Sequence, residues 1–141
     1  MRVGIIVAAA LSVLTAGAAN AEVLHFTAKL DGASETPPTD SKGTGKAWVS
    51  LDTATKMLDW KVEYSGLTGP AVMAHFHGPA AVGQAAGVAV PLTGDLTSPT
   101  RGKATLTDAQ ISQLEGGMWY VNIHTAANKG GEIRGQVLPA K

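Results

Sequence analysis

The sequence predicts an all-β fold, an antiparallel sandwich or barrel of about seven to eight strands with one short helix over 107–115. Three observations predict it. Short stretches alternate between apolar and polar residues, as strands with a single buried face do. Clusters of Gly, Pro, Asp, Ser and Thr separate these stretches at short intervals. Only one stretch carries helical punctuation, and no repeat at a solenoid period is evident.

Residues 1–21 read as a leader rather than as part of the fold. Met1-Arg2 gives a positive start, 3–14 is an uncharged apolar run, and Ala19-Asn20-Ala21 is a small-x-small cleavage site. The run is short for a membrane span, and no cysteine follows it to carry a lipid. The expected product is residues 22–141, one domain, periplasmic or secreted, with no membrane insertion after signal cleavage. With Arg2 removed, 10 basic residues face 11 acidic ones. Such near-neutrality, with no basic cluster, argues against nucleic acid and an anionic membrane surface as partners. The chain has no cysteine, so packing and sheet hydrogen bonds must stabilise it without disulfides.

Residues 23–30 alternate Leu24, Phe26, Ala28 and Leu30 against His25, Thr27 and Lys29. The loop 31–45 contains Pro37-Pro38, which cannot join a ladder. Residues 46–51 turn Ala47, Val49 and Leu51 inward, and 56–64 turn Leu58, Trp60, Val62 and Tyr64 the same way. A polar turn between them predicts a hairpin. In 71–77, Val72, Ala74 and Phe76 form the apolar side, and Gly78-Pro79 ends the strand. Residues 88–92 contain Pro91, which places that strand at an edge. A further strand is expected over 101–106. Thr107 with Gln110 three residues on is a capping-box pattern, and Gly116-Gly117 terminates the helix. Residues 118–124 and 132–138 complete the strands, with Trp119, Val121 and Ile123 inward on the first and Ile133, Gly135 and Val137 on the second.

The chemistry concentrates at Ala74-His75-Phe76-His77-Gly78. Two imidazoles one residue apart on an extended strand share a face, about 7 Å apart at their Cα atoms, and both can reach one metal ion. His25, His75, His77 and His124 all fall on the polar register of their strands, which predicts a solvent-accessible surface or cleft. Neutral imidazoles without thiolate suit copper, zinc or nickel, and an exported, cysteine-free chain leans toward copper. Met73 shares the face of His75, as a soft ligand or as packing. His25 is a fourth ligand or a solvated side chain. Glu132 and Arg134 share a face of the last strand, as a solvated ion pair or with Arg134 guiding anions beside the metal. No nucleophile-elbow motif is present, and a thiol nucleophile is impossible.

Read in order, FTAKLDGASETPP, GTGKAWVSLD, LDWKVEYSGLTG, AHFHGPA, LTDAQISQLEGGMWYVNIHT and ANKGGEIRGQV resemble the CHRD domain, the module named from chordin and found in bacterial exported proteins. A fainter similarity is to the copper/zinc superoxide dismutases, Greek-key β-sandwiches with a His-x-His copper pair and a later strand histidine. That resemblance implies a Greek-key arrangement here, His75, His77 and His124 as copper ligands, and Arg134 attracting anions near the metal. Asn122, on the polar side of the same strand as His124, and Glu132 join Arg134 as expected residues around the metal. No histidine lies between His77 and His124 to bridge two metals, so no zinc subsite is expected. The expectation is one mononuclear copper site for binding, buffering or delivery. A copper-only superoxide dismutase and a metal-free extracellular interaction module, with a protein partner or a homodimer, are the alternatives.

Overall fold

The structure, a computed structural model, describes Gly17 and residues 20–141. The leader read over 1–21 falls, except for Gly17, Asn20 and Ala21, outside the described residues. Among the described residues no helix is long and apolar enough to cross a membrane.

Eight strands form one sheet: β1 Val23–Asp31, β2 Thr44–Asp52, β3 Met57–Ser65, β4 Ala71–His77, β5 Val88–Pro91, β6 Thr100–Thr105, β7 Trp119–Thr125 and β8 Ile133–Pro139. Their order is β5-β4-β7-β8-β1-β2-β3-β6, with antiparallel ladders throughout. The sheet curls into a nearly closed barrel. Pro91 therefore lies at an edge, where its missing N–H leaves no ladder bond unmade. The β2–β3 hairpin runs in unbroken register from Thr44↔Ser65 to Asp52↔Met57.

The inward sets are those the alternation predicts. Phe26, Ala28, Leu30, Ala47, Val49, Leu51, Leu58, Trp60, Val62, Ala74, Phe76, Trp119, Val121, Ile123, Ile133 and Val137 make one core. Val72 departs from the expected inward set. A register shift between Ala71 and Met73 turns the start of β4, and Val72 and Met73 are both exposed. α1, Asp108–Glu115, has the expected capping box between Thr107 and Gln110, and it seats Leu114 in the core.

The barrel wall is asymmetric. On β1 and β2 the outward residues meet solvent, so the burial pattern alternates. Every residue of β7 is buried. Loops lie across the outer face of this half: Arg134 Nη1 donates to Thr36 Oγ1 and its Nη2 to the Gln84 carbonyl, Tyr120 Oη meets Ala86, and Gln136 Nε2 donates to the Ala80 carbonyl. The polar register is read correctly from the sequence, but over β4, β7 and β8 it faces a covered interior instead of a solvated surface.

Candidate metal centre

β4 and β7 are neighbours, and their register sets His75 opposite Asn122, His77 opposite Tyr120 and Met73 opposite His124. The outward side chains of the two strands consequently share one patch. A ligand nitrogen from each of His75, His77 and His124 lies within 4.8 Å of the others. His77 and His124 are buried and His75 is half-buried. His75 Nδ1 is 3.2 Å from His124 Nε2. Asn122 joins them, its Oδ1 2.9 Å from His77 Nε2 and 3.0 Å from His124 Nε2.

Backbone oxygens decide the tautomers. A carbonyl can only accept, so His77 Nδ1–H donates to Ala86 O at 3.0 Å and His124 Nδ1–H donates to Lys129 O at 2.7 Å. In the neutral rings both Nε2 atoms then carry lone pairs, aimed at Asn122 Oδ1, which is itself an acceptor. His75 Nδ1–H can donate a hydrogen bond to the Nε2 of His124. His77 Nε2 still faces an oxygen with no proton between them. Acceptors brought this close without a donor are unfavourable in a buried site unless a cation sits among them.

The spacing suits such an ion. Two ligand atoms about 2.0–2.1 Å from one metal at a right angle lie about 2.9 Å apart. Histidine ligands characteristically donate their second ring N–H to a carbonyl or carboxylate, which orients the ring. Burial, with the neighbouring His124 and His77, pushes the His75 imidazole below the usual histidine range. Burial does the same to His77, against the pull of the Ala86 carbonyl. Both shifts favour the neutral form that binds metal.

Tyr120, outward on β7, stacks on His77 with ring centroids 4.7 Å apart and planes 4° from parallel. The Arg134 guanidinium carbon lies 3.4 Å from the centroid of that tyrosine ring. Arg134 is thus buried, with its hydrogen bonds directed at two loops, and is not an exposed guide for anions. Glu132 is fully buried and makes no ion pair with Arg134. Its carboxylate accepts from the Thr68 N–H at 3.1 Å, the Thr68 hydroxyl and Asn128 Nδ2 at 3.0 Å. It therefore anchors the 126–132 loop that carries the Lys129 carbonyl, and the solvated-pair expectation is corrected for both residues. Glu132→Gln should lower stability by about 1–2 kcal/mol, because acceptance by an ionised carboxylate is stronger than acceptance by a neutral amide. Urea unfolding of the metal-free protein checks it.

His25 is not in the group. It is exposed on β1, opposite Ser50, and its polar register brings it to the open half of the barrel. The expectation of a fourth ligand from β1 is thereby corrected. Met73 is close to the site along the strand but 45% exposed, and no contact ties it to the histidines.

Glu35 escapes the sequence reading. It comes from the 32–43 loop, and burial raises its carboxyl to about 7 against the lowering effects of Arg134 and Asn122. Its Oε1 is buried with no hydrogen-bond partner. An acid within a run of Ser, Thr, Pro and Gly carries no periodicity, so nothing local signals that it folds inward.

A family model described as CHRD domain matches residues 26–137, most of the chain and every residue of this cluster. No curated protein and no solved structure matches it.

Proposed function

Since the chain belongs to the CHRD domain family, an extracellular type of module, we propose that it is an exported copper-binding protein of the periplasm or cell exterior. The observation that carries this reading is the convergence of His77 Nε2, His124 Nε2 and Asn122 Oδ1 with no donor among them. His77 Nε2, His124 Nε2 and a ring nitrogen of His75 would hold the ion, with Asn122 Oδ1 as an oxygen donor. Imidazole-rich sites follow the order in which Cu²⁺ binds most tightly among the divalent first-row metals. The donor set is mononuclear, and no zinc subsite is proposed beside it.

Binding, buffering or delivery fits better than turnover. Arg134 is held by Thr36, Gln84 and Tyr120, which counts against the electrostatic steering of a small anion that a superoxide dismutase would use. Isothermal titration of the metal-free protein should give one Cu²⁺ per chain. A titration without heat beyond dilution would end the proposal. A metal-free interaction module would instead hold its partner equally well before and after chelation.

A pH dependence follows. Metal binding needs deprotonated imidazoles, and His75 and His77 both hold protons less well than ordinary histidine. The fall in affinity should therefore come at lower pH than ordinary imidazole ligands, which titrate near about 6.5, would place it. The metal-free fold follows the same sign. Below pH 6.5 the unfolded chain takes up protons that folded His75 and His77 resist, so these two residues subtract stability as pH falls. Copper titrations from pH 7.5 to 5 check the first statement. A decline already complete at pH 6.5 would contradict it.

A further inference from the structure

The Asn122 amide has two chemically opposite ends, and the neighbours of each decide what the site presents. In a metal-free site the donor end, Nδ2, would pair favourably with the lone pairs on His77 Nε2 and His124 Nε2. That orientation would fill the site with N–H groups and exclude a cation. The observed orientation is the reverse, with Oδ1 toward both rings. Something on the far side must hold Nδ2.

Gly131 shows what does. It has φ +121°, where side chains are strained, and a Cβ built there would overlap Glu35 Oε1 and lie 2.7 Å from Asn122 Nδ2. Glu35 and the donor end of Asn122 thus meet over a bare Cα. Glu35 is only 4% exposed. Its Oε1 is buried with no hydrogen-bond partner, and a carboxylate oxygen is an acceptor. An amide oxygen turned toward it would set two acceptors together in a dry pocket.

We infer that Glu35 is a positioning residue for the metal centre, holding Asn122 Nδ2 so that Oδ1 points at His77 and His124. This role rests on the copper reading above. It gives the 32–43 loop a part in the site although no residue of that loop touches the ligand nitrogens. Glu35 acts through Asn122 alone, so its effect on metal must vanish when Asn122 is gone.

The test uses Glu35→Gln, nearly isosteric, Asn122→Ala, and the double variant. Copper affinity of Glu35→Gln should fall about 10- to 100-fold, as for other loss of ligand-orienting partners, with an altered Cu²⁺ electron paramagnetic resonance spectrum. In the Asn122→Ala background Glu35→Gln should change neither. Unchanged affinity in Glu35→Gln, or an equal loss in both backgrounds, would overturn the inference while leaving the copper site standing. A readout without metal separates the two ideas: nuclear Overhauser contacts from the Asn122 Nδ2 protons should reach Glu35 in the wild type and the His77 ring in Glu35→Gln. Contacts to the His77 ring already in the wild type would overturn the Glu35 role whether or not copper binds, whereas wild-type protein that binds no copper would remove the metal reading itself.

Discussion

Replacing His77 and His124 together by alanine is expected to abolish high-affinity copper binding, a loss on the order of a thousandfold or more, because binding energy at such sites resides in the deprotonated protein ligands. These two residues are the right pair to remove. Their Nε2 atoms flank Asn122 Oδ1 at 2.9 and 3.0 Å, and their Nδ1–H groups are already directed to backbone carbonyls. Half-buried His75 then remains with one amide oxygen, a set with no advantage over surface histidine. The same change leaves the carbonyls of Ala86 and Lys129 without donors, so the metal-free variant should also lose about 1–3 kcal/mol for each group left unsatisfied. Circular dichroism on the metal-free variant shows whether the barrel survives, and titration then reads the copper. A folded variant that binds copper as tightly as the wild type would eliminate this centre. Removing His25 by the same substitution should leave affinity unchanged, since His25 is exposed on the other half of the barrel.

Gly135→Ala should be the most damaging single substitution for the fold, costing about 3 kcal/mol or more, the upper range of overpacking in a tight core. Gly135 lies on β8 where β1 crosses it. A Cβ there would overlap the Lys29 carbonyl oxygen and lie 2.6 Å from the Lys29 carbonyl carbon. These are backbone atoms, which cannot rotate aside as a flexible side chain can. The β1–β8 ladder is already interrupted here, with Thr27↔Leu138 and Asp31↔Arg134 paired but none between them. Any further separation would part β1 from the half of the barrel that carries the histidines, so copper affinity should fall with stability. Gly130→Ala is the control, because nothing lies within 4 Å of its would-be Cβ. Urea midpoints for the two variants measure the difference; equal midpoints would show that β1 and β8 are free to separate by the width of a methyl group.

Much of the barrel was legible because a strand with one buried face writes its direction into alternate residues. The inward sets of β1, β2, β3, β7 and β8 were read from periodicity alone, as was the capping box at Thr107. Pro91 marked an edge because it lacks a ladder donor. Val72 was misread because a register shift at the start of β4 breaks the period on which the reading depends. His25 and His124 looked equivalent for a related reason: register tells which side of a strand a residue occupies and nothing of which strands are neighbours.

The chain's own order of residues determined an all-β domain, the side on which each imidazole lies, and a donor set of nitrogen ligands without thiolate. These are local properties, set by backbone period and side-chain chemistry. Pairing of β4 with β7 brought His75 and His77 to His124 and Asn122, and loops from three distant stretches covered them. Only that assembly decided that Arg134 and Glu132 are buried supports, that two carbonyls set the imidazole tautomers, and that Glu35 stands behind Asn122. Each of those outcomes depends on contacts between segments far apart in the chain, and on the low-dielectric interior they enclose, neither of which leaves a periodic trace in the sequence.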